Sequence, residues 1–535
     1  MSIVHYDYII VGAGSAGCVL ANRLSASGRH TVLVLEAGGK DDWIWFHIPV
    51  GYLYAMGNPR ADWCFKTEPV PGLNGRALDY PRGRVIGGSS AINGMIYIRG
   101  QAADYDHWRQ LGNMGWSWDD VLPYFKKSEH RQGEAGEHHR QGGEWRVEKL
   151  RLSWQVLDLF RDAAGEHGIP PTEDFNRGDN EGVGYFEVNQ WRGRRWSTAT
   201  AFLKPALERP NLTLWTGAQA LKLVVEGKRV TGIDVRHEGR TRRVLAGREV
   251  ILSAGAVNSP HLLQLSGIGD PDLLRDFGVP VVHALTAVGE NLQDHLQLRM
   301  IYKVAGLKTL NGRANSLLGK AGMALEYALL RRGPMTMAPS QLGGFTRSSP
   351  EHATPNLQFH VQPLSLDKFG SPLHSFEAFT ATACNLRPRS RGSIRLQSAD
   401  PLAPPAIQPN YLSDPADRRV AVEAIRLVRR IVTQSRAFGP HTPEEFRPGS
   451  ALSSDAELER AAGDIGTTIF HPVGTCRMGT DDEAVVDPQL RLRGLAGLRV
   501  VDASIMPTIT SGNTNSPTIM IAEKAADMIL ADAAI

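Results

Sequence analysis

The feature that most constrains this chain is a glycine-rich turn close to its amino terminus. Residues 6–11 form an apolar run typical of a buried parallel strand, and the spacing Gly-x-Gly-x-x-Gly follows at residues 12–17. Small and apolar residues then continue through Leu24, and a second apolar run, residues 31–35, ends at Glu36. Strand, glycine turn, helix and strand in this order predict a βαβ unit that binds a dinucleotide.

Each glycine of this motif has a physical reason. Gly12 permits the tight turn, Gly14 lets the backbone approach a pyrophosphate, and Gly17 allows close packing of helix against strand. The helix N-terminus adds a partial positive charge. Glu36, nineteen residues after Gly17, is placed to accept hydrogen bonds from a ribose and would repel a 2′-phosphate. The motif alone does not separate NAD from FAD.

Two further glycine-rich segments follow apolar or extended runs. Residues 83–94 place glycines and hydroxyls densely before a helix, and Val85 and Ile86 within them favour burial over a surface turn. Residues 250–260 again run from an apolar strand into a glycine turn. Loops of this kind suit a flat or anionic ligand.

Composition excludes several classes of protein. The 535 residues can bury a sizeable core, and 59 Lys and Arg against 56 Asp and Glu leave a formal charge of +3. This balance disfavours a disordered chain and a polybasic nucleic-acid binder, so we expect no nucleic-acid partner. The cysteines lack CxxC spacing, which argues against a disulfide framework and a zinc site and favours the cytoplasm. They are Cys18, Cys64, Cys384 and Cys476.

Membrane signals are weak. No amino-terminal signal segment is recognised, and no stretch reaches about 18 uninterrupted apolar residues. Aromatic clusters at residues 43–46 and 52–54 leave peripheral contact with the inner membrane open, although such clusters also line pockets and cores. We expect a cytoplasmic protein with at most peripheral membrane contact.

A polar run over residues 129–144 contains His130, His138 and His139. Three histidines can hold a metal, but no strand or helix is expected there to fix their geometry. We interpret the run as a solvated loop and expect no metal site.

Taken in order, these segments resemble the glucose-methanol-choline (GMC) oxidoreductases nearly from end to end. Residues 83–93 are similar to the first signature of that family and residues 255–269 to the second. The blocks at 289–295, 385–392 and 471–524 also resemble family elements. The resemblance is closest to the bacterial FAD-dependent alcohol and choline dehydrogenase branch, and it implies FAD rather than NAD.

The resemblance implies an α/β fold in which a Rossmann-like FAD-binding domain carries a substrate-binding cap of antiparallel sheet and helices. The FAD-binding domain is expected to be discontinuous, comprising residues 1–100, 195–304 and 465–535. Residues 101–194 and 305–464 would form the cap.

Cofactor-binding residues are expected in all three glycine-rich segments and in the carboxy-terminal block. The helix from Thr518 would point its N-terminus at the flavin, as in the family. The full expected set is Gly12, Gly14, Ser15, Ala16, Gly17, Glu36, Ala37, Arg84, Gly87, Ser89, Asn93, Gly94, Ala220, Ala254, Gly255, Asp502, Ala503, Asn513, Pro517 and Thr518. Family members that tether FAD to a histidine carry it where this chain has Ile92, so we expect noncovalent FAD.

His471 is the expected catalytic base. Oxidation of an alcohol needs a group that takes the hydroxyl proton, and neutral imidazole titrates in the right range. His471 lies where the family has its catalytic histidine, before Pro472. By the same resemblance Asn515 occupies the place of a second His or Asn; it can bond the substrate oxygen or the flavin but cannot act as a base.

The substrate pocket is expected to be apolar at its entrance and to favour a primary alcohol. Choline would need a carboxylate and an aromatic cage around its ammonium group, and the sequence does not place that carboxylate. The expected pocket residues are Trp45, Phe345, Gln358, His360 and Phe470, with Phe46 and Tyr54 as further wall positions.

The predicted function is FAD-dependent oxidation of a primary alcohol to the aldehyde, with hydride passing to flavin N5 and electrons to a quinone-type acceptor. An oxidase that reduces O₂, a choline dehydrogenase, a hydroxynitrile lyase with bound FAD and a nonenzymatic FAD-binding protein are the alternatives. Neither the natural alcohol nor the oligomeric state follows from the sequence.

Overall fold

A computed structural model describes residues 4–368 and 370–534, and its architecture is organised by two seven-stranded sheets. The first sheet is largely parallel. Its path runs Leu212–Thr216, Val32–Glu36, Val4–Val11, Arg240–Leu252, Arg229–His237 and Gln219–Glu226, and Leu498–Val500 also pairs with Arg240–Leu252. The last two strands of the path are antiparallel, whereas the other pairings are parallel.

The amino-terminal βαβ unit is confirmed. Val4–Val11 and Val32–Glu36 pair in parallel, and the helix Ser15–Ser25 connects them. Val32–Glu36 is buried along its whole length, as an apolar strand covered on both faces requires. Helices Gly255–Leu265 and Asn515–Ala533 complete this domain. The carboxyl ends of its parallel strands therefore meet the glycine turns at one edge, where ligands bind in sheets of this type.

The second sheet is antiparallel. Its path runs Glu444–Arg447, Leu296–Lys303, Ala378–Asn385, Leu357–Gln362, Leu342–Thr346 and Gly182–Tyr185, and Gly466–Thr468 also pairs with Leu296–Lys303. Leu298, Met300 and Phe359 lie on its apolar face and belong to a buried cluster shared with flanking helices. Those helices are Gln155–Glu166, Pro415–Thr433 and Asp455–Ile465. Strand alternation turns the opposite, polar face toward a large cavity.

Two parts of the expected domain division differ in the structure. Strand Leu296–Lys303, expected in the FAD-binding domain, is a central strand of the second sheet, and Gly466–Thr468 pairs beside it. Helices Ala102–Gln110 and Trp118–Ser128, expected in the cap, pack their aromatic side chains into the core of the first domain. A domain boundary depends on which of the two cores buries a segment. The local pattern of polar and apolar residues does not show which core that is.

The predicted solvated loop at 129–144 is partly wrong. Glu129–Arg131 pairs in parallel with Trp145–Lys149, and His139 is buried between two carboxylates. The His139 ring bonds Glu129 through Nδ1 at 3.0 Å and Asp174 through Nε2 at 2.9 Å. Burial of paired charged groups explains how so polar a segment folds inward. Within the described ranges, no cluster of three or more His, Cys, Asp or Glu side chains is arranged to hold a metal.

The remaining α-helices of four or more residues are Tyr52–Ala55, Pro271–Asp276, Leu310–Ala314 and Leu317–Leu330. Across residues 4–368 and 370–534, no helix combines the length and the apolar character needed to cross a bilayer.

Candidate active site

A cavity of about 860 Å³ extends from the glycine turns of the first sheet to the polar face of the second. Most of the expected cofactor residues line it: Gly12, Gly14, Ser15, Ala16, Glu36, Ala37, Ser89, Asn93, Gly94, Ala220, Ala254, Gly255, Asp502, Ala503, Asn513 and Thr518. Gly17, Arg84, Gly87 and Pro517 do not line it. Gly17 and Gly87 support the turns from behind, and the Arg84 guanidinium lies over the Trp63 ring at 4.9 Å.

Gly12 and Gly17 meet the backbone requirements that the sequence predicts for the first turn. Gly12 has φ +102°, and a Cβ there would lie 2.5 Å from the Ser253 carbonyl oxygen. A Cβ on Gly17 would lie 1.8 Å from the Gly12 carbonyl oxygen, so this position needs glycine for packing. A Cβ on Gly14 would meet nothing closer than 3.9 Å, because this backbone borders the open cavity. The turn thus leaves space for a pyrophosphate at the N-terminus of helix Ser15–Ser25.

Glu36 is buried at the end of its strand and borders the same cavity. Its carboxylate accepts hydrogen bonds from the backbone N–H groups of Ala13 at 3.0 Å and Gly38 at 2.8 Å. Burial raises the pKa of Glu36 to about 7, and these two hydrogen bonds oppose the shift. These bonds hold the carboxylate at the cavity, where the sequence predicts a ribose.

Asp502 is more a structural than a ligand-facing group. Its carboxylate accepts from the Gly255 N–H at 2.9 Å, the Ser259 hydroxyl at 2.6 Å and the Ser504 N–H at 2.8 Å. These bonds join the second glycine turn to the carboxy-terminal block. Asp502 therefore fixes the position of neighbouring backbone that lines the cavity.

Asn515, which the sequence predicts beside the substrate oxygen or the flavin, does not contact His471 in the structure. It is the first residue of helix Asn515–Ala533, and its Oδ1 accepts from the Ser15 hydroxyl at 2.7 Å. Its Nδ2 is buried at the cavity and has no hydrogen-bond partner among the described residues. An unmatched buried donor between two helix N-termini fits an electron-rich ligand such as FAD.

Asn513 takes the place beside His471. The Asn513 Nδ2 lies 3.1 Å from His471 Nε2, and Gln358 Nε2 donates to Asn513 Oδ1 at 3.3 Å. Asn513 precedes the helix that begins at Asn515. The helix backbone directs the side chain of Asn515 toward Ser15, and it does not constrain the side chain of Asn513 in this way. The polar pair at this site is therefore His471 and Asn513.

A second histidine, His295, fixes the tautomer of His471. His295 Nε2 lies 3.1 Å from the Leu386 carbonyl oxygen, which only accepts, so Nε2 carries the proton. His295 Nδ1 is then an acceptor, and it lies 3.1 Å from His471 Nδ1. His471 must donate there from Nδ1–H, which leaves the lone pair of His471 on Nε2. That lone pair faces Asn513 and the cavity.

Asp294 holds the segment that carries His471. This buried carboxylate accepts from the His471 backbone N–H at 2.7 Å, the Thr468 hydroxyl at 2.6 Å and the Tyr80 hydroxyl at 2.9 Å. The Tyr411 hydroxyl donates to it as well. Four charge-assisted hydrogen bonds therefore fix the approach of the chain to His471.

The electrostatic environment keeps His471 neutral. Burial lowers its pKa well below the usual value, and His295, His360 and Arg82 lower it further. Arg82 lines the cavity and donates to the Phe470 carbonyl at 2.7 Å. A neutral imidazole with its lone pair on Nε2 is the form that can accept a proton.

The expected substrate pocket is partly correct. Trp45, His360 and Phe470 line the cavity, and Trp45 stacks on Tyr54 with ring centroids 3.9 Å apart. Phe345 does not line it. Phe345 lies on the cavity-side face of the second sheet but at an end that Phe175 and Phe186 cover.

Gln358 and Phe46 also lie behind the cavity wall. Gln358 is fully buried and reaches the site only through Asn513. Phe46 belongs to a small core with Ala55 and Ala61. Ile92 does line the cavity, and its hydrocarbon side chain offers no nucleophile to a flavin.

His295 and Asp294, which hold His471, and Arg299 in the cavity wall are positions that sequence reasoning missed. The block at 289–295 was recognised in the family resemblance, and its adjacent acid and histidine were the available signal. Arg299 follows four residues after His295, and it alternates with the apolar residues Leu298 and Met300 in strand Leu296–Lys303, so it shares the cavity face with Gln297.

Comparison with known proteins agrees with the geometry. Models of the GMC oxidoreductase family match residues 6–297 and 388–522. The chain is 44% identical to an alcohol dehydrogenase [acceptor] of Pseudomonas putida, with 98% of this chain and 96% of that protein covered. It is 42% identical to human mitochondrial choline dehydrogenase, covering 98% and 89%. Among solved structures, pyridoxine 4-oxidase from Mesorbium loti superposes with a TM-score of 0.89 at 32% identity, covering 97% and 98%.

Proposed function

Because this chain belongs to the GMC oxidoreductase family and is an FAD-dependent oxidoreductase of the alcohol and choline class, we propose that it oxidises a primary alcohol to the aldehyde with His471 as the base. The observation that carries the proposal is the hydrogen-bonded chain from the Leu386 carbonyl through His295 to His471, which leaves the Nε2 lone pair of His471 at the cavity. Binding of a flavin alone would not require a neutral, oriented and buried imidazole at the cavity.

In the reaction, the substrate hydroxyl inserts between His471 Nε2 and Asn513 Nδ2, which bond each other at 3.1 Å in this structure. His471 Nε2 accepts the hydroxyl proton, and the Asn513 amide donates to the substrate oxygen and fixes its direction. Bound FAD supplies the acceptor for the hydride that leaves the carbinol carbon. Asp294 and His295 hold His471 in place, and Phe470 and the Trp45–Tyr54 stack exclude water from the apolar approach.

The test is anaerobic mixing of the purified yellow holoenzyme with a panel of alcohols while flavin absorbance is followed. Bleaching by a primary alcohol supports the proposal, and its loss in H471A with FAD still bound assigns the base. A flavin that stays yellow with every alcohol while a cyanohydrin is cleaved would instead support a lyase. Readmission of air or of a quinone then identifies the acceptor, for which we propose a quinone.

A membrane surface is the proposed location of that acceptor. Helix Leu317–Leu330 exposes Leu317 by 84%, Leu318 by 86% and Leu329 by 71%, and it is anchored by Tyr327, whose hydroxyl donates to the Gly193 carbonyl. Ile44 and Leu53 are also exposed, and Leu53 lines the same cavity as the helix residues Met323 and Ala324. An apolar rim of this kind is typical of lipid contact.

The charges beside this helix fit an anionic lipid surface. Arg313, Lys320, Arg331 and Arg332 lie on or next to it, against the single acid Glu326, which pairs with Arg313 and Arg332. The excess of positive charge would attract anionic headgroups while the leucines enter the interface. A quinone in the membrane would then lie near the mouth of the cavity.

A further inference from the structure

The polar face of the second sheet places one arginine in the wall of the substrate side of the cavity. Arg299 pairs across the sheet with Thr382, and Thr382 pairs with His360, so the three lie in one row on one face. Arg299 and His360 both line the cavity. The neighbouring positions Leu298 and Met300 turn to the opposite, apolar face.

Arg299 differs from three other buried arginines because two nitrogens of its guanidinium lack partners. Its Nε and Nη2 are buried and have no hydrogen-bond partner among the residues that the structure describes. Arg99, by contrast, forms an ion pair with Glu129, Arg499 does so with Glu249, and Arg195 donates to Asn93. A buried guanidinium without an acceptor is unfavourable unless a ligand supplies one.

No protein carboxylate is placed to supply it. Among the described residues, the acids that line the cavity are Glu36 and Asp502, and both are bonded to backbone donors at the glycine turns. On the substrate side the charged lining residues are Arg82, which acts on His471, Arg299 and Lys320. Burial and the neighbouring Arg447 lower the pKa of Arg299 to about 10, so the group remains charged at neutral pH. The substrate side therefore carries only positive charge.

We propose that the substrate carries an anionic group, a carboxylate, which Arg299 binds while His471 accepts the proton of the hydroxyl at the other end. The proposal rests on the proposed alcohol oxidation and specifies its substrate class. A carboxylate offers two oxygens in the geometry that a guanidinium matches. It would satisfy the buried N–H groups that the protein leaves without acceptors.

The spacing sets the length of this substrate. His295, which touches His471, lies four residues before Arg299, and an extended strand covers about 13 Å over that distance. Met335, Met337, Leu364 and Leu366 line the same cavity and suit a methylene chain. The substrate class is therefore a medium-length ω-hydroxycarboxylate, oxidised to the ω-oxocarboxylate. The same positive charge disfavours choline, whose quaternary ammonium would face Arg299.

The test compares ω-hydroxycarboxylates of increasing chain length with their neutral methyl esters in the holoenzyme. We expect kcat/KM for the best acid to exceed that for its ester by at least roughly tenfold, since a charged hydrogen-bond pair separates them. R299Q should lose at least roughly tenfold on the acid and leave the ester within about twofold, and R299K should recover part of the difference because it keeps the charge. R243Q, which removes an exposed arginine paired with Asp234 on the first sheet, is the matched control.

Two outcomes would overturn the inference. Equal kcat/KM for acid and ester in the unaltered enzyme would contradict it, and so would an equal loss on both substrates in R299Q with normal FAD content. In either case, bleaching by neutral primary alcohols would leave the proposed alcohol oxidation intact. Absence of bleaching by any alcohol would refute the proposed function itself.

Discussion

The Nδ1 atoms of His295 and His471 lie 3.1 Å apart, and the Leu386 carbonyl decides which of the two carries the shared proton. Because the carbonyl takes the Nε2–H of His295, His471 donates from Nδ1 and keeps its lone pair on Nε2. The Leu386 carbonyl oxygen thus sets, through His295, which nitrogen of His471 carries the proton.

Removal of the base should abolish most of the reaction. We expect His471→Ala to lower the rate constant of flavin reduction by at least roughly 100-fold, the lower end of what a general base contributes. Stopped-flow absorbance under nitrogen measures it. FAD content should stay normal, because His471 is not among the residues expected to hold FAD. A rate within a few-fold of the unaltered enzyme would exclude His471 as the base.

His295 should affect the rate of flavin reduction by fixing the tautomer of His471. His295→Leu removes the acceptor for His471 Nδ1–H, and we expect a loss of at least roughly tenfold in the rate of flavin reduction. His295→Asn keeps an acceptor oxygen close to the position of Nδ1 and should retain more activity. If both variants lose activity equally while thermal stability and FAD content are unchanged, the tautomer argument is wrong.

The rate constant of flavin reduction should be maintained at mildly acidic pH. Burial, with His295, His360 and Arg82, lowers the pKa of His471, so the neutral base is retained as the pH falls below about 6.5, where an ordinary histidine would protonate. The rate constant of flavin reduction should be flat from neutral pH to below that value and decline only at lower pH. Measurement across pH in the stable range of the holoenzyme checks it. A half-maximal rate at or above that value would contradict the assigned environment.

The flavin should be released by denaturation. Ile92 occupies the cavity wall where a tethering histidine would stand, so no covalent bond to FAD is expected there. Acid precipitation should leave a colourless pellet and a yellow supernatant whose absorbance equals that of free FAD. Flavin fluorescence in the protein band of a denaturing gel would contradict this prediction.

Lipid contact should depend on the exposed leucines. The combined change Leu318→Glu with Leu329→Glu places negative charge on the apolar helix face and should reduce co-sedimentation with anionic vesicles by several-fold, since each change removes apolar contact and adds repulsion. Reduction of a water-soluble quinone should be unchanged. Leu402→Glu, at an exposed leucine outside this helix, is the control. Equal sedimentation of all variants, or none for the unaltered enzyme, would refute the membrane proposal.

Local sequence was sufficient where a property depends on a few consecutive residues. The strand, the glycine turn and the second strand at residues 4–36 were predictable because the positive φ of Gly12 and the tight packing at Gly17 are requirements that few other residues meet. His471 was found from its place before Pro472 in a carboxy-terminal block that resembles the family, as was the need for FAD.

Tertiary structure decided what depends on contacts between distant segments. Asn513, and not Asn515, bonds His471, because the helix that begins at Asn515 turns its side chain toward Ser15. Phe345 lies on the expected face of the second sheet but is covered by Phe175 and Phe186.

The sequence by itself therefore determined the dinucleotide fold and the cofactor and singled out His471, the proposed base, since these are encoded in local backbone requirements and short motifs. Only the tertiary structure decided the tautomer of that base and the charge of the substrate side. His295 reaches His471 from 176 positions away along the chain, and the unpaired state of Arg299 is a property of everything packed around it. Such facts depend on which atoms share a cavity, and no stretch of sequence carries them alone.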